Sequence, residues 1–261
     1  MTPLNRRRFS LFKANKRAFG ALIVFGFLFV VSLFAEILAN DKPLIIRYKG
    51  QTYFPMVHMY TDADFGGLLP TEADYKDPFT RNEIETNGWM VMPPIAFSYD
   101  TINYDLKVAS PAPPGRQNWL GTDDQARDIL ARLIYGLRAS VLFGLALTFV
   151  SSLIGILMGA VQGYFGGKTD LILQRVIEIW GSLPQLFILI IIFSLFKPGF
   201  MTLLVVLMLF SWPALVSVVR AEFLRGRNMD YVKAAKVMGV SDFQIMLKHI
   251  LPNACVSALT Y

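Results

Sequence analysis

The sequence has little of what most active-site chemistry requires. Of its 261 residues one is cysteine, Cys255, and two are histidine, His58 and His249. A single cysteine excludes an intrachain disulfide framework, and two well-separated histidines exclude a His/Cys zinc cluster. Charge is scarce too. Asp, Glu, Lys and Arg make up 17% of the chain, against about 25% in soluble domains, so this is not a soluble enzyme's composition. No catalytic residue, metal ligand or cofactor is expected. The net charge of +6 sits beside a hydrophobic fraction of 54%, which turns attention from nucleic acid to how the charges are placed along apolar segments.

What the chain has is apolar length. A spanning helix needs about 20 mostly apolar residues, and four segments qualify: residues 19–38, interrupted only by Glu36; 140–161, rich in Gly and small residues; 177–196, holding Glu178, Gly181 and Pro184; and 201–219, with Trp212-Pro213 inside it. A fifth apolar run begins at Ile250 and reaches Tyr261, twelve residues that are too few to span. Positive residues near span ends stay in the cytoplasm. Arg6, Arg7, Arg8, Lys13, Lys16 and Arg17 precede the first span with no acid among them, which puts the N-terminus inside. Residues 40–118, with ten acids against seven basic residues, then face out, and 220–249, with six basic residues against three acids, face in. The alternation also makes 162–175 an inner loop.

The outer segment reads as a small folded insert. Leu44 to Tyr48 and Gln51 to Phe54 flank Lys49-Gly50 as a hairpin, because aromatic and β-branched residues bracket a glycine turn. Trp89 to Val91 and Ile95 to Tyr99 are further candidate strands. The acidic run from Asp62 to Glu85 is a solvated face or a surface that meets a cationic substrate or a partner. Ser110-Pro111-Ala112-Pro113-Pro114-Gly115 is a stiff return to the membrane. Beyond it Leu120-Gly121-Thr122-Asp123 offers Thr122 or Asp123 as the N-cap of a helix. That helix carries Ile129, Leu130, Leu133, Ile134 and Leu137 on one face, with Arg127, Asp128, Arg132 and Arg138 elsewhere. It is expected to lie on the membrane surface and lead into the second span.

The inner loop carries the strongest functional pattern. Asp230 to Gly239 reads as a short helix, capped by Asn228 or Asp230 and stopped by Gly239. Ser241 opens a second, with Gln244 completing a capping box, and Phe243, Ile245, Met246 and Leu247 lead to Leu251-Pro252. Ala234, Ala235 and Met238 are then available for contact, their small or flexible side chains letting another backbone approach.

At these residues the chain resembles the permeases of ABC importers. Two alanines, three residues, a glycine, then Leu-Pro after eleven more is that family's inner-loop signature, and Ala234, Ala235, Gly239, Leu251 and Pro252 stand in register. Lys233 takes the place of the family's usual Glu, and His249 that of a frequent Ile. Leu120-Gly121-Thr122-Asp123 with Arg127-Asp128 and Ile134-Tyr135-Gly136 is similar to the segment before the second span of dipeptide and oligopeptide permeases, Ala126 replacing a usual Gly. The insert is most like that of the microcin C type of peptide importer.

The resemblance implies an all-α polytopic membrane protein with a type I ABC importer transmembrane domain, here four complete spans plus the start of a fifth, and a small β-containing periplasmic insert. It implies these divisions: 1–18 a cytoplasmic basic N-terminus, 19–38 the first transmembrane helix, 39–118 the insert, and 119–261 the transmembrane domain with a coupling loop at 220–249. Tyr231, Ala234, Ala235, Met238, Gly239, Leu251 and Pro252 become ATPase-coupling residues. Gly121, Thr122, Asp123, Arg127 and Asp128 become the motif before the second span. The implied partners are a second permease in a heterodimer, two ATPases that do all the hydrolysis, a periplasmic peptide-binding protein and membrane lipid, in a bacterial inner membrane. Oligopeptides or microcin C-like peptides are the implied cargo; dipeptides, nickel or another small solute are alternatives. A channel with an extracellular domain and a membrane-anchored enzyme are the competitors from other classes, and the spans are short of polar rings as the insert is of a catalytic constellation.

Gly163 to Thr169 imitates a phosphate-binding loop, but Gln162 stands where its first glycine belongs and a span precedes it. Arg175 and Glu178 are expected to form a local pair, and Trp180 and Trp212 to pack within the spans. The twelve apolar residues from Ile250 further lead to the expectation that the chain is a truncated permease, lacking the rest of its fifth span and a sixth.

Overall fold

The computed structural model describes residues 3–259, with side chains described for 7 and 9–256. Thr260 and Tyr261, the end of the fifth apolar run, lie outside the described residues. The chain divides into two units, Met1–Val141 and Leu142–Tyr261.

The first unit opens with helices α1 (Pro3–Ala14) and α2 (Lys16–Leu33), separated by Asn15, whose side chain accepts the Ala18 amide and caps α2. The expected first span stops short at Leu33: Phe34 leaves helical geometry and a single turn, α3 (Ala35–Leu38), carries the chain on. A three-stranded antiparallel sheet follows, in the order β2-β1-β3, from β1 (Ile45–Tyr48), β2 (Gln51–Tyr53) and β3 (Gly88–Val91). The hairpin turn is as expected. Lys49 and Gly50 both take positive φ, 49° and 82°, the two-residue geometry whose twist matches paired strands.

Helix α4 (Pro78–Asn87) covers the sheet, capped by Asp77. Ile46, Tyr48, Phe65, Tyr75 and Ile84 form the core between them. The acids of the 62–85 run are largely spent internally. Asp64 accepts the Thr61 amide, Asp77 caps α4, Glu83 accepts the Tyr48 hydroxyl and Glu85 pairs with Arg81. Residues 95–99 are not a strand: Ile95 makes one isolated bridge to Ala39, because Pro93 and Pro94 before it have no N–H to extend a ladder. Ile95, Phe97 and Ala39 instead pack on Ala131 at the start of α5 (Ile129–Phe165). There Tyr135 donates to the Ala39 carbonyl at 2.9 Å, and Arg138 pairs with Glu36 at 2.7 Å.

α5 corrects the expectation of a surface helix followed by a separate span. It runs unbroken for 37 residues, roughly 55 Å against a hydrocarbon core of about 30 Å. No proline lies within it to remove a bond, and single glycines cost only about 1 kcal/mol each.

In the second unit α5 is followed at once by α6 (Gly167–Gly181), the chain turning at Gly166 with φ 62°. The expected inner loop at 162–175 is therefore almost wholly helical. The third apolar run is bent: α6 and α7 (Gln185–Leu195) meet at 66°, since Pro184 lacks an N–H and pushes the residue before it out of helical geometry. Trp212-Pro213 causes no such break, because Pro213 sits in the first turn of α9 (Pro213–Gly226), where its N–H is not needed. Helix α8 (Phe200–Ser211) and α9 therefore continue as one 27-residue apolar run. Among the described residues three helices are long and apolar enough to cross a membrane, and a fourth span results if α6 and α7 count as one. Trp180 is half-buried, stacked on Phe210 with its indole N–H on the Leu209 carbonyl at 2.8 Å; Trp212 is half-buried as well.

Helices α5 and α9 pack with almost no space between them. Added Cβ atoms on Gly155, Gly159 and Gly163 would lie 2.9, 2.8 and 2.6 Å from the carbonyl oxygens of Trp212, Val216 and Arg220. This is the small-residue seam by which membrane helices bring their backbones together. Asp170 of α6 and Arg220 of α9 face each other in a two-pronged ion pair at 2.6 Å.

Candidate functional site

The loop after α9 is a helix-turn-helix folded onto the spans. Met229 is extended and precedes α10 (Asp230–Val237) without a side-chain cap, so neither Asn228 nor Asp230 caps it. Asn228 bonds back to the Leu224 carbonyl instead, while Asp230 lies in the first turn, where a carboxylate suits the helix dipole. At the other end the expectation holds. Gly239 takes φ 79°, its amide bonds the Lys236 carbonyl and the Val240 amide bonds the Ala235 carbonyl, the paired bonds of a Schellman stop. Ser241 caps α11 (Asp242–Gln244) by accepting the Gln244 amide, but the return bond of a capping box is not made among the described residues. A π turn, Ile245–Ile250, leads into α12 (Leu251–Leu259). Pro252 accounts for it, having no N–H for the Lys248 carbonyl four residues back.

Ala235 is not free for contact. It is 2% exposed and sits with Val232, Ile245, Ile250, Phe223 and Ala254 in one cluster that also takes in Ala160 and Tyr164 of α5. Leu251 packs on the edge of that cluster, whereas Ala234, Gly239 and Pro252 are exposed. The outward apolar surface is made by Val237 at 88% exposure, Met238 at 75%, Phe243 at 69% and Tyr231 at 46%. Val237 and Phe243 had no place among the expected contact residues, although both stand at the turn between the two helices, where apolar side chains have no neighbour of their own.

Polar ties hold the loop to α5. The Tyr164 hydroxyl donates to Asp242 at 2.5 Å, and Arg227 donates to the Tyr164 carbonyl at 3.2 Å. Tyr231 reaches the His249 carbonyl at 3.5 Å. Lys233 pairs with Asp230 at 3.7 Å, and Arg175 with Glu178 at 2.6 Å as expected.

The second motif closes into a single turn. The helix cap is Asp128, neither Thr122 nor Asp123: its Oδ1 accepts the Ala131 amide at 2.7 Å while its Oδ2 accepts from Asn118 at 2.8 Å. Thr122 takes the Ala112 amide at 2.9 Å. Asp123 accepts the Gln125 and Arg127 amides at 2.9 Å each, pairs with the Arg127 guanidinium at 2.8 Å and is also paired with Arg132. Burial alone would raise the Asp123 carboxyl; the Arg127 and Gln125 amides and the Arg127 guanidinium outweigh it and hold the group below its usual value. Gly121 has φ 80°, and a Cβ there would meet the Ala112 carbonyl oxygen at 2.4 Å, so both the conformation and the close approach require glycine. Ala126 occupies the left-handed region at φ 61°, the position where the resemblance calls for glycine.

All five motif residues thus come together, and their polar groups are used within the turn. Their chemistry is to fix where α5 begins. Among the described residues no group of three His, Cys, Asp or Glu is placed to hold a metal ion.

Comparison with known proteins places the chain among transport permeases. Residues 128–261 match the family described as binding-protein-dependent transport system inner membrane component. The inner membrane ABC transporter permease protein YejE of Escherichia coli is 51% identical over 261 residues, all of this chain and 76% of that protein. The peptidoglycan transport system permease protein YejE of Agrobacterium fabrum is 48% identical over 284 aligned positions, all of this chain and 74% of that protein. The oligopeptide transport system permease protein OppC of Haemophilus influenzae is 38% identical over 157 residues, 60% of this chain and 50% of its own length.

Proposed function

We infer, from the premise that this chain belongs to the binding-protein-dependent transport system inner membrane components, that it is the permease through which an ATP-driven importer carries peptides. It is a membrane-embedded, non-catalytic subunit, and ATP hydrolysis resides in separate subunits of the system. The observation that carries the peptide reading is 51% identity along the whole of this chain to an ABC permease, joined to 38% identity over 60% of it to an oligopeptide permease.

In this reading the permease pairs with a second permease, two ATPases and a periplasmic peptide-binding protein. The basic N-terminus lies in the cytoplasm, residues 39–118 form a periplasmic insert, and α10 and α11 face the ATPase. Tyr231, Val237, Met238 and Phe243 then form the docking surface, while Ala235 and Leu251 hold the loop's shape and Gly239 sets its turn. A second reading, peptides released from peptidoglycan, is favoured by the 48% identity to the peptidoglycan permease across the full chain.

The test is uptake of labelled peptide by a strain deleted for this gene, with oligopeptides and peptidoglycan-derived peptides supplied separately. Neither being lost on deletion refutes the function. Docking is tested by Val237→Arg, expected to abolish pull-down of the ATPase while membrane insertion and melting stay unchanged; undiminished recovery refutes that surface. Orientation is tested with cysteines at Thr61 and Ser110, expected to react with an impermeant thiol reagent in intact cells.

A further inference from the structure

The small mixed unit of residues 39–118 contains a cavity of about 910 Å³, within the ~300–1,000 Å³ range of small-molecule sites. Its apolar lining comes from Met90, Met92, Pro94 and Phe97. Lys76 also lines it, with its ammonium 3.6 Å from the centre of the Phe97 ring. The Lys76 nitrogen is buried and makes no hydrogen bond among the described residues. Burial holds its pKa below the usual lysine value, although Asp41, Asp74, Asp105 and Asp128 pull the other way. A buried ammonium with three unspent donors is costly, and a ring face answers only one side of it.

The other charges around the cavity are mostly committed. Lys42 pairs with Glu72 and Arg81 with Glu85, Asp77 caps α4, and Asp74 accepts the Lys76 amide. Asp100 and Asp105 are different: their carboxylates make no hydrogen bond or ion pair among the described residues. Six acids and four cations line the cavity. A simple anion would be repelled there, and a simple cation would leave Lys76 unanswered. Both demands are met by one ligand that carries an acceptor anion at one end and a cation at the other.

We propose that this cavity binds short zwitterionic peptides, their terminal carboxylate on the Lys76 ammonium and their α-ammonium toward Asp100 and Asp105. The inference rests on the reading of the chain as part of a peptide importer, and it places a peptide site on the permease's own extramembrane unit. Met90 and Met92 supply adaptable apolar surface for differing side chains.

The experiment is calorimetric titration of the full chain in detergent micelles, without ATP or partner subunits, using trialanine, trialanine amide and N-acetyl-trialanine. Trialanine should bind saturably at one site. Amidation should weaken it by about tenfold or more, the scale of one charge-assisted bond, and acetylation should weaken it as well. Lys76→Met should weaken trialanine by the same factor and leave the amide unchanged, and Arg116→Gln, which removes the cavity's other cation free of an ion pair, should change affinity less than about twofold. Lys76→Met removes an unanswered buried charge, so its melting temperature should not fall; were it to misfold, the three peptides on the unaltered chain still decide the matter. No saturable binding, equal affinity for trialanine and its amide, or a loss that follows Arg116 rather than Lys76 overturns the proposal. Because binding is read on the isolated chain, a negative result leaves the uptake test of function standing, and a failed uptake test leaves the binding result standing.

Discussion

Helix α5 offers a direct test of how closely the spans are packed. Gly155, Gly159 and Gly163 recur every fourth residue, and a Cβ placed on Gly163 would lie 2.5 Å from the Phe223 Cβ and 2.6 Å from the Arg220 carbonyl oxygen. Ordinary contact begins at 3.4 Å, so Gly163→Ala must part the two backbones by roughly 1 Å, and a gap of about 0.5–1 Å forfeits a quarter to a half of the dispersion attraction along the seam. Overpacking of this kind costs about 1–3 kcal/mol. Alanine in place of glycine inside a helix returns about 1 kcal/mol, which must be separated from the clash. Gly144, on the same helix, has nothing within 4 Å of an added Cβ, so Gly144→Ala collects the gain alone. Gly163→Ala should therefore be less stable than Gly144→Ala by about 1–3 kcal/mol, about 5- to 150-fold in the unfolding equilibrium. The assay is denaturant unfolding of the purified chain in micelles, followed by tryptophan fluorescence. Equal midpoints for the two variants would refute the close packing of α5 on α9.

Ala126→Gly should stabilise the turn before α5 by up to about 1 kcal/mol, since left-handed geometry costs a non-glycine residue about 1–2 kcal/mol and the freer unfolded chain takes back about 0.4–1; a lowered melting temperature would contradict the strain. Arg220→Met should destabilise by about 1–2 kcal/mol, the scale of charge-assisted bonds in a part-buried pair that Arg227 still partly balances, and adding Asp170→Asn should recover part of that loss; a double variant no more stable than the single one would argue against the pair. Asp123, held below its usual pKa, contributes stability that is fully present above about pH 4 and is lost as pH falls through the lowered value. The melting difference between the unaltered chain and Asp123→Asn should hence be flat from neutral pH to about 4 and shrink below it.

What was legible in the sequence is what local rules decide. Lys49-Gly50 announces its hairpin and Gly239 its helix stop, because each depends on a residue or two and their neighbours. Hydropathy located the apolar runs but not their breaks, since a sum over about 20 residues does not register that Pro184 bends one run and Pro213 leaves another intact. The difference lies in whether the missing N–H falls where a helical bond is due. The cap before α5 was misplaced at Thr122 or Asp123 because both residues are good caps, and only the detour through Ala126 brings Asp128 to the helix start instead. The spacing marks Ala235 as a contact for a partner, but it is buried in the chain's own cluster with Ile245 and Ile250. The Asp170–Arg220 pair joins residues 50 positions apart, beyond the reach of any spacing rule.

The burial of Ala235 bears on the proposed docking of an ATPase, because it decides how a push on the loop would enter the spans. Were the loop a free tether, motion of α10 would be absorbed by its hinges at Met229 and Gly239. Val232 and Ala235 instead share one cluster with Val219 and Phe223 of α9, Ala254 of α12, and Ala160 and Tyr164 of α5. Close-packed interiors transmit displacement rather than absorb it, and the Tyr164–Asp242 bond adds a polar tie at the same place. A push applied at Val237, Met238 and Phe243 would therefore reach the ends of α5 and α9 together. Those two helices are closely packed along Gly155, Gly159 and Gly163, while the chain bends at Gly166 and at the 66° break between α6 and α7. A switch between two packings biased from one end needs a rigid lever and a few places that yield; in the proposed docking the glycine seam would be the lever, and the breaks that hydropathy alone did not reveal would be the places that yield.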